Sequence, residues 1–247
     1  MDKKYALIVA FTITFFIFTV FSYIRSNAGQ SNIEVSILTR VIDGDTIVLN
    51  DGRIIRLLNI NSPEKNFHGS ELGKNFLELY LNKSIGIKIT GRDKYYRNLA
   101  KIYTPEYLNL EIVKNGYASK FLVENDELKE FDQAEKYAIN HSIGIWKKSP
   151  YFNCFNVEVE SEKEIVHFVN SCQNVKANNW VLKDESRKIY LIRNITFGNI
   201  TIHTTAGNDN ETDLFWNSKQ AIWNNDRDSV YLFDSDEKII AYTSYGY

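Results

Sequence analysis

The chain has 247 residues, 44% of them hydrophobic and 24% charged, with 29 Lys and Arg against 31 Asp and Glu for a net charge of −2. This apolar content excludes a disordered chain, and the length suits one large or two modest domains. The near-neutral balance excludes capture of nucleic acid by bulk electrostatics, so any such contact has to come from a local site.

In chain order, the sequence opens with MDKK and then runs from Tyr5 to Ile24 without a charge, about the twenty residues a helix needs to cross a bilayer. The run exceeds the roughly 7–15 residues of a signal-peptide core, which favours an uncleaved transmembrane anchor over residues 1–30. Ser26-Asn27-Ala28 leaves a cleaved signal and a secreted product as the alternative. Lys3 and Lys4 outnumber Arg25 across the span, so the rest of the chain is expected outside the cytoplasm. Residues 31–150, with 17 basic and 16 acidic side chains, form the first expected domain. Strands are predicted over Ile33 to Ile42, Thr46 to Asn50 and Arg53 to Ile60, with Asp51-Gly52 between apolar runs as a hairpin signal. A helix over Glu71 to Leu81, strands over Ile85 to Thr90 and Leu99 to Tyr103, and helices over Leu108 to Asn115 and Glu127 to Asn140 complete an α+β unit. This order suits a five-stranded Greek-key barrel of the OB type. Residues 156–247 carry short β-rich runs broken by Asn, Asp and Gly and read as an all-β sandwich. This tail is acidic, with 9 basic against 14 acidic residues in 151–247, and makes a poor nucleic-acid binder. Cys154 and Cys172 are the only cysteines. They are open to either a disulfide in an oxidising compartment or two buried thiols, and lack metal-ligand spacing.

Within IIRLLNINSPE, Ile54 to Glu64, Arg56 interrupts an apolar strand. A charge removed from water costs several kcal/mol or more unless paired, so Arg56 needs a route to solvent or an anion to meet. Asp43-Gly44-Asp45 lies between two predicted strands, Asn61, Ser62 and Glu64 follow a third, and Arg97 precedes a further strand. Each has an ordinary explanation as a turn, a helix cap or a solvated charge. Taken together, carboxylate and carbonyl oxygens suit a hard divalent cation, two guanidiniums suit a phosphodiester, and a further carboxylate suits activation of water.

RVIDGDTIVL, RLLNINSPE and DKYYRNLAKIY, followed by NGYA at Asn115 to Ala118 and GIW at Gly144 to Trp146, resemble the staphylococcal nuclease (thermonuclease) family over about Asn32 to Lys148. The resemblance implies an OB-fold, a Ca2+ cofactor, and a DNA or RNA substrate cut to 3′-phosphate products. It implies Asp45, Asn61 and the Ser62 carbonyl as metal ligands and Arg56, Glu64 and Arg97 as catalytic residues. Lys94 and Tyr95 match positions flanking the nucleotide's terminal phosphate. Asn61 stands where the family usually has aspartate, which predicts weaker calcium binding. Tyr96 replaces a common glycine, and Phe121 and Leu122 compete for the place of a substrate-packing tyrosine. The tail, from ESEKEIVHFVN to IIAYTSYGY, resembles a lamin-tail domain, an immunoglobulin-like sandwich. Trp180, Trp216 and Trp223 are expected in or beside its core, and Asp226 and Asp228 in a solvated turn. Other functions compatible with these residues are a non-catalytic nucleic-acid-binding module and an envelope tether. Retention of Glu64 with both arginines argues against the first.

Overall fold

The computed structural model describes residues 33–65, 67 and 69–247. The Tyr5 to Ile24 span lies outside them, and among the described residues no helix is long and apolar enough to cross a membrane. Strands β1 (Glu34–Asp43), β2 (Thr46–Leu49) and β3 (Ile54–Leu57) form a meander, with Gly52 at φ 84° in the turn before β3. Strands β5 (Ser84–Arg92) and β6 (Asn98–Tyr103) complete a closed barrel in the order β1-β2-β3-β6-β5. Closure uses one parallel pairing, in which Arg56 opposes Leu99 across β3 and β6. Leu38, Ile47, Leu49, Ile55, Leu57, Ile85, Ile87, Ala100 and Ile102 fill the interior and are at most 1% exposed, each large aliphatic contributing about 1.5–3 kcal/mol relative to an exposed position.

The expected single strand from Arg53 to Ile60 is broken. Asn59 takes a left-handed conformation at φ 67°, which asparagine tolerates better than most side chains. The chain therefore leaves the barrel, and β4 (Ile60–Asn61) pairs with β7 (Ser119–Lys120). This bend carries Asn61 and Ser62 to the barrel edge. Helix α1 (Ser70–Glu78) packs on β1 and stops three residues before its expected end, as Leu79, Tyr80 and Leu81 donate to carbonyls three residues back and Asn82 turns left-handed. Helices α2 (Leu108–Lys114) and α3 (Asn125–Asn140) pack on one another, α3 starting two residues earlier than expected. The NGYA and GIW segments cross at two glycines. A Cβ on Gly144 would lie 2.0 Å from the Gly116 carbonyl oxygen, and that oxygen accepts the Ile145 N–H at 2.8 Å.

The second unit holds two four-stranded sheets. One runs β12 (Ile189–Ile192), β11 (Trp180–Lys183), β16 (Asp228–Phe233), β17 (Ile239–Tyr245). The other runs β15 (Asp213–Phe215), β14 (Ile200–His203), β9 (Ile165–Asn170), β8 (Phe155–Glu160). Strands β10 (Lys176–Ala177) and β13 (Ile195–Thr196) pair separately. Both sheets feed one core of Val166, Phe168, Ile202, Leu182, Leu232 and Ile240, so they face each other as a sandwich. Trp180 and Trp223 are buried in this core and Trp216 packs against it. Cys154 and Cys172 are bridged, with Cα atoms 5.2 Å apart.

The two units share a buried seam in which Ala138 and Trp146 of the first meet Tyr231 and Ile239 of the second. Lys120, 2% exposed, is held by Glu135 at 2.7 Å, and the Tyr242 hydroxyl donates to the same carboxylate oxygen at 2.7 Å. Ile239 N–H donates to the Lys147 carbonyl at 2.8 Å, and Ser149 N–H to the Ile239 carbonyl at 2.9 Å. An apolar seam with a buried ion pair and main-chain bonds fixes the relative position of the units more firmly than a polar contact between mobile domains would.

Candidate active site

Asp45 leads into β2 from the Asp43-Gly44-Asp45 turn. That turn lies tightly against the segment after β4: a Cβ on Gly44 would stand 2.8 Å from Ser62 Cβ and 3.2 Å from Gly73 Cα. Close approach lets Asp45 Oδ2 accept both the N–H and the hydroxyl of Ser62, each at 2.9 Å, while Oδ1 accepts the Thr46 hydroxyl at 3.0 Å. Arg56 opposes Thr46 in the β2–β3 register. Its guanidinium is thereby carried to Asp45, with Nε 3.2 Å from Oδ1. Nη1 donates to the Leu57 carbonyl at 2.6 Å and Nη2 to Asn61 Oδ1 at 3.3 Å. The arginine within an apolar strand has therefore met an internal anion.

Burial alone would raise the Asp45 carboxyl, but the Arg56 charge, the Ser62 N–H and the Arg187 charge together hold it below its usual range. Its neighbour Asp43 is raised, by burial first and by the Asp45 charge second. Arg56 is lowered by burial, opposed by Asp45 and assisted by the nearby charges of Arg187 and Arg97. Two carboxyls two residues apart thus differ in environment: one is an ionised anchor for cations, the other is disfavoured as an anion.

Arg56, Asn61, Lys94, Tyr95 and Arg97 line one cleft with Phe121, Leu122, Glu185 and Arg187. Arg97 is fixed by Asp93, which accepts its N–H at 2.9 Å and its Nε at 2.7 Å. Lys94 Nζ lies 5.1 Å from the Tyr95 ring centroid and the Arg97 guanidinium 5.5 Å from it. Tyr96 sits at φ 63° with its ring 84% exposed. This is the left-handed backbone that favours glycine, the residue the family resemblance places there. Phe121 and Leu122 both line the cleft, so geometry does not single out either as the counterpart of the family's tyrosine.

Sequence reading missed the contribution of the sandwich. The hairpin tip between β11 and β12 enters the site, and Arg187 Nη2 lies 2.6 Å from Asn61 Oδ1, 3.2 Å from Asp45 Oδ2 and 3.2 Å from the Ser62 carbonyl oxygen. Its Nη1 is paired with Glu64, whose side chain is about half exposed. The Glu185 carbonyl accepts the Asn61 amide at 2.9 Å, which turns Asn61 Oδ1 toward the cluster. Aspartate could not donate that bond, so asparagine at 61 serves the contact with the sandwich as well as presenting an oxygen. Tyr247 closes the same wall, its hydroxyl donating to Glu185 at 2.7 Å and accepting the Leu122 N–H at 3.3 Å. Burial pushes Glu185 up to about 7 and neighbouring Asp184 up to about 6. In the sequence, Asp184 to Lys188 is an ordinary charged turn, and nothing local distinguishes Arg187.

The donor set suits a hard cation. Asp45, Asn61, Ser62 and Glu64 all present oxygen to one guanidinium, and oxygen ligands with one or two carboxylates are what calcium takes. Among the described residues no cluster of three or more His, Cys, Asp or Glu side chains could hold a metal; this locus draws instead on an amide and a main-chain carbonyl. Asp228 is no cation ligand: it is fully buried and accepts the N–H groups of Glu185, Asn224 and Ser229. It is therefore not the solvated turn residue expected from the sequence, whereas Asp226 is exposed.

A closed five-stranded barrel with a carboxylate, an amide and a main-chain carbonyl set between arginines at its edge is an OB-type architecture. The model of the staphylococcal nuclease homologue family matches residues 54–148. The chain is 31% identical over 150 residues to the thermonuclease of Staphylococcus intermedius, a match covering 52% of this chain and 89% of that protein. An uncharacterized endonuclease of Haemophilus influenzae is 31% identical over 116 residues, covering 44% and 64% of the two chains. Endonuclease YhcR of Bacillus subtilis is 28% identical over 200 residues, 69% of this chain but 16% of its own length. The chain belongs to the staphylococcal nuclease homologue family.

Proposed function

We propose that the protein is a calcium-dependent nuclease that hydrolyses phosphodiester bonds of DNA or RNA to 3′-phosphate ends. The observation that carries this reading is the convergence of Asp45, Asn61, Ser62 and Glu64 oxygens on one cationic group, Arg187, which lines a cleft together with Arg56 and Arg97. Asp45, Asn61 and the Ser62 carbonyl would hold calcium, which when bound supplies charge neutralisation at the scissile phosphate. Glu64 orients the attacking water and takes its proton as the new bond to phosphorus forms and the bond to the leaving 5′-oxygen breaks. Arg56 and Arg97 donate to the phosphate oxygens as their charge builds, where preorganised donors act most strongly. Lys94 and Tyr95 hold the neighbouring phosphate at the mouth of the cleft.

The named relatives support this reading: one is a thermonuclease and two are endonucleases. The location follows from other features. The uncharged span from Tyr5 to Ile24, with the Cys154–Cys172 bridge, supports an anchored protein whose folded part works outside the cytoplasm, or a secreted one if the span is cleaved. The lamin-tail-like sandwich acts here as the second wall of the cleft.

Glu64→Ala tests the assignment cleanly, because its half-exposed side chain contributes little to folding. Hydrolysis of a plasmid or an oligonucleotide should fall about a hundredfold or more while the unfolding transition stays near its parent position. A folded Glu64→Ala protein cutting at near-parent rate would overturn the reading.

A further inference from the structure

The Arg187 contacts carry more than a bond between two units. Nη2 has two protons yet meets three acceptor oxygens, on Asp45, Asn61 and Ser62, within 3.2 Å. It cannot make three linear hydrogen bonds. Three of the four oxygens thus crowd one corner of the guanidinium as they would a point charge, and only Glu64 meets the other nitrogen. Arg187 Nε is buried and makes no hydrogen bond. Its backbone is left-handed at φ 75°, an uncommon conformation for a residue with a side chain. A contact evolved only as a latch would be expected to match the guanidinium better. The seam at Trp146, Tyr231 and Ile239 and the Lys120–Glu135–Tyr242 cluster already join the units without it.

We infer that Arg187 is a built-in competitor for the divalent cation, holding the same oxygens that the ion would take. The inference rests on the cation locus proposed above. Ion and guanidinium cannot share these oxygens, so the affinity of the site is set by the withdrawal of Arg187 as well as by the ligands. Asp45 is not left unpaired when Arg187 departs, because Arg56 Nε remains 3.2 Å from its other oxygen. Only the Arg187 side chain has to swing away: it stands at the end of a short turn, 184–187, between Lys183 at the end of β11 and Lys188 just before β12, in which Glu185 stays held by Asp228 and Tyr247.

The test is calcium binding by calorimetry, with calcium-induced thermal stabilisation as a parallel readout, on the purified full chain. Arg187→Ala should bind calcium about tenfold more tightly than the parent, within the usual range of coupling between linked equilibria, and should gain more thermal stabilisation per increment of calcium. Arg187→Gln, which keeps part of the side chain and a donor but no charge, should shift affinity in the same direction and serves if the alanine variant folds poorly. A structural latch would lower stability without tightening calcium. Equal or weaker calcium binding by both variants, with a parent that binds, overturns this inference and leaves the nuclease reading standing. Absence of calcium binding in the parent and both variants overturns the cation locus itself, and this inference with it.

Discussion

The barrel and the sandwich meet at the same cleft and contribute different parts of the cluster around Arg187. The barrel presents oxygens, from Asp45, Asn61, Ser62 and Glu64, on a frame closed by hydrogen bonds in all directions. The sandwich presents a guanidinium from the tip of one hairpin and a phenol from the last residue of the chain. The barrel's groups sit on strands or directly beside them, where position is over-determined. Arg187 of the sandwich instead sits at the tip of a turn between two strands. The difference teaches that the barrel carries the oxygens of this cluster while the sandwich supplies the charge they meet.

That comparison breaks first if the two units prove energetically independent. Lys120 and Glu135 are both buried in the first unit, and Tyr242 of the second bonds the same carboxylate oxygen. Removing one partner of a buried pair costs about 3–5 kcal/mol, because the other charge remains out of water. Glu135→Ala should therefore lower the melting temperature by many degrees and destabilise both units in one calorimetric transition. Two separate transitions, with only the barrel's shifted, would show that the seam does not couple them.

The acidic groups at the hairpin tip give a smaller effect with a definite sign. Burial raises Asp184 to about 6 in the folded protein against its ordinary 3.8, and Glu185 moves in the same direction. Between pH 4 and 6 the Asp184 carboxyl then binds more protons in the folded state than in the unfolded state. The Asp184 contribution is fully present below its unfolded value and is lost as pH rises through about 6. The loss amounts to about 2 kcal/mol or less. In urea melts across pH 4–7 the stability of the parent relative to Asp184→Asn should fall as pH rises; parallel curves would refute the assignment.

Tyr96 supplies the smallest effect and sharpens the view of the barrel loop. A residue with a side chain at φ 63° pays a steric penalty that glycine avoids, and the exposed ring returns little packing. Tyr96→Gly should stabilise the protein by about 0.5–1 kcal/mol in denaturant titrations. Destabilisation would mean that the ring has a partner on the cleft rim.

Much of the barrel was legible because its signals are local. Alternating apolar residues set the strands and Asp51-Gly52 set the hairpin. The crossing of Gly116 and Gly144 brings NGYA and GIW together although they are far apart in sequence. Arg56 was recognisable as anomalous from burial cost alone, although the partner the structure gives it is Asp45. The break at Asn59 was not legible, since an apolar run gives no warning that one residue will turn left-handed. Arg187 was further out of reach. It acts 142 residues away from Asp45 through a contact that only the packing of two units creates. Asn61 illustrates the same limit: read alone it was a weakened carboxylate, whereas its amide donates to the Glu185 carbonyl.

The central claim is that the barrel's oxygens hold a cation needed to cut phosphodiesters, and it is tested most directly by chelation and add-back on the purified full chain. Plasmid and single-stranded RNA cleavage should vanish in excess chelator and return with calcium, with 3′-phosphate ends on the fragments. Cleavage that continues undiminished in chelator, or that calcium does not restore, would contradict the account.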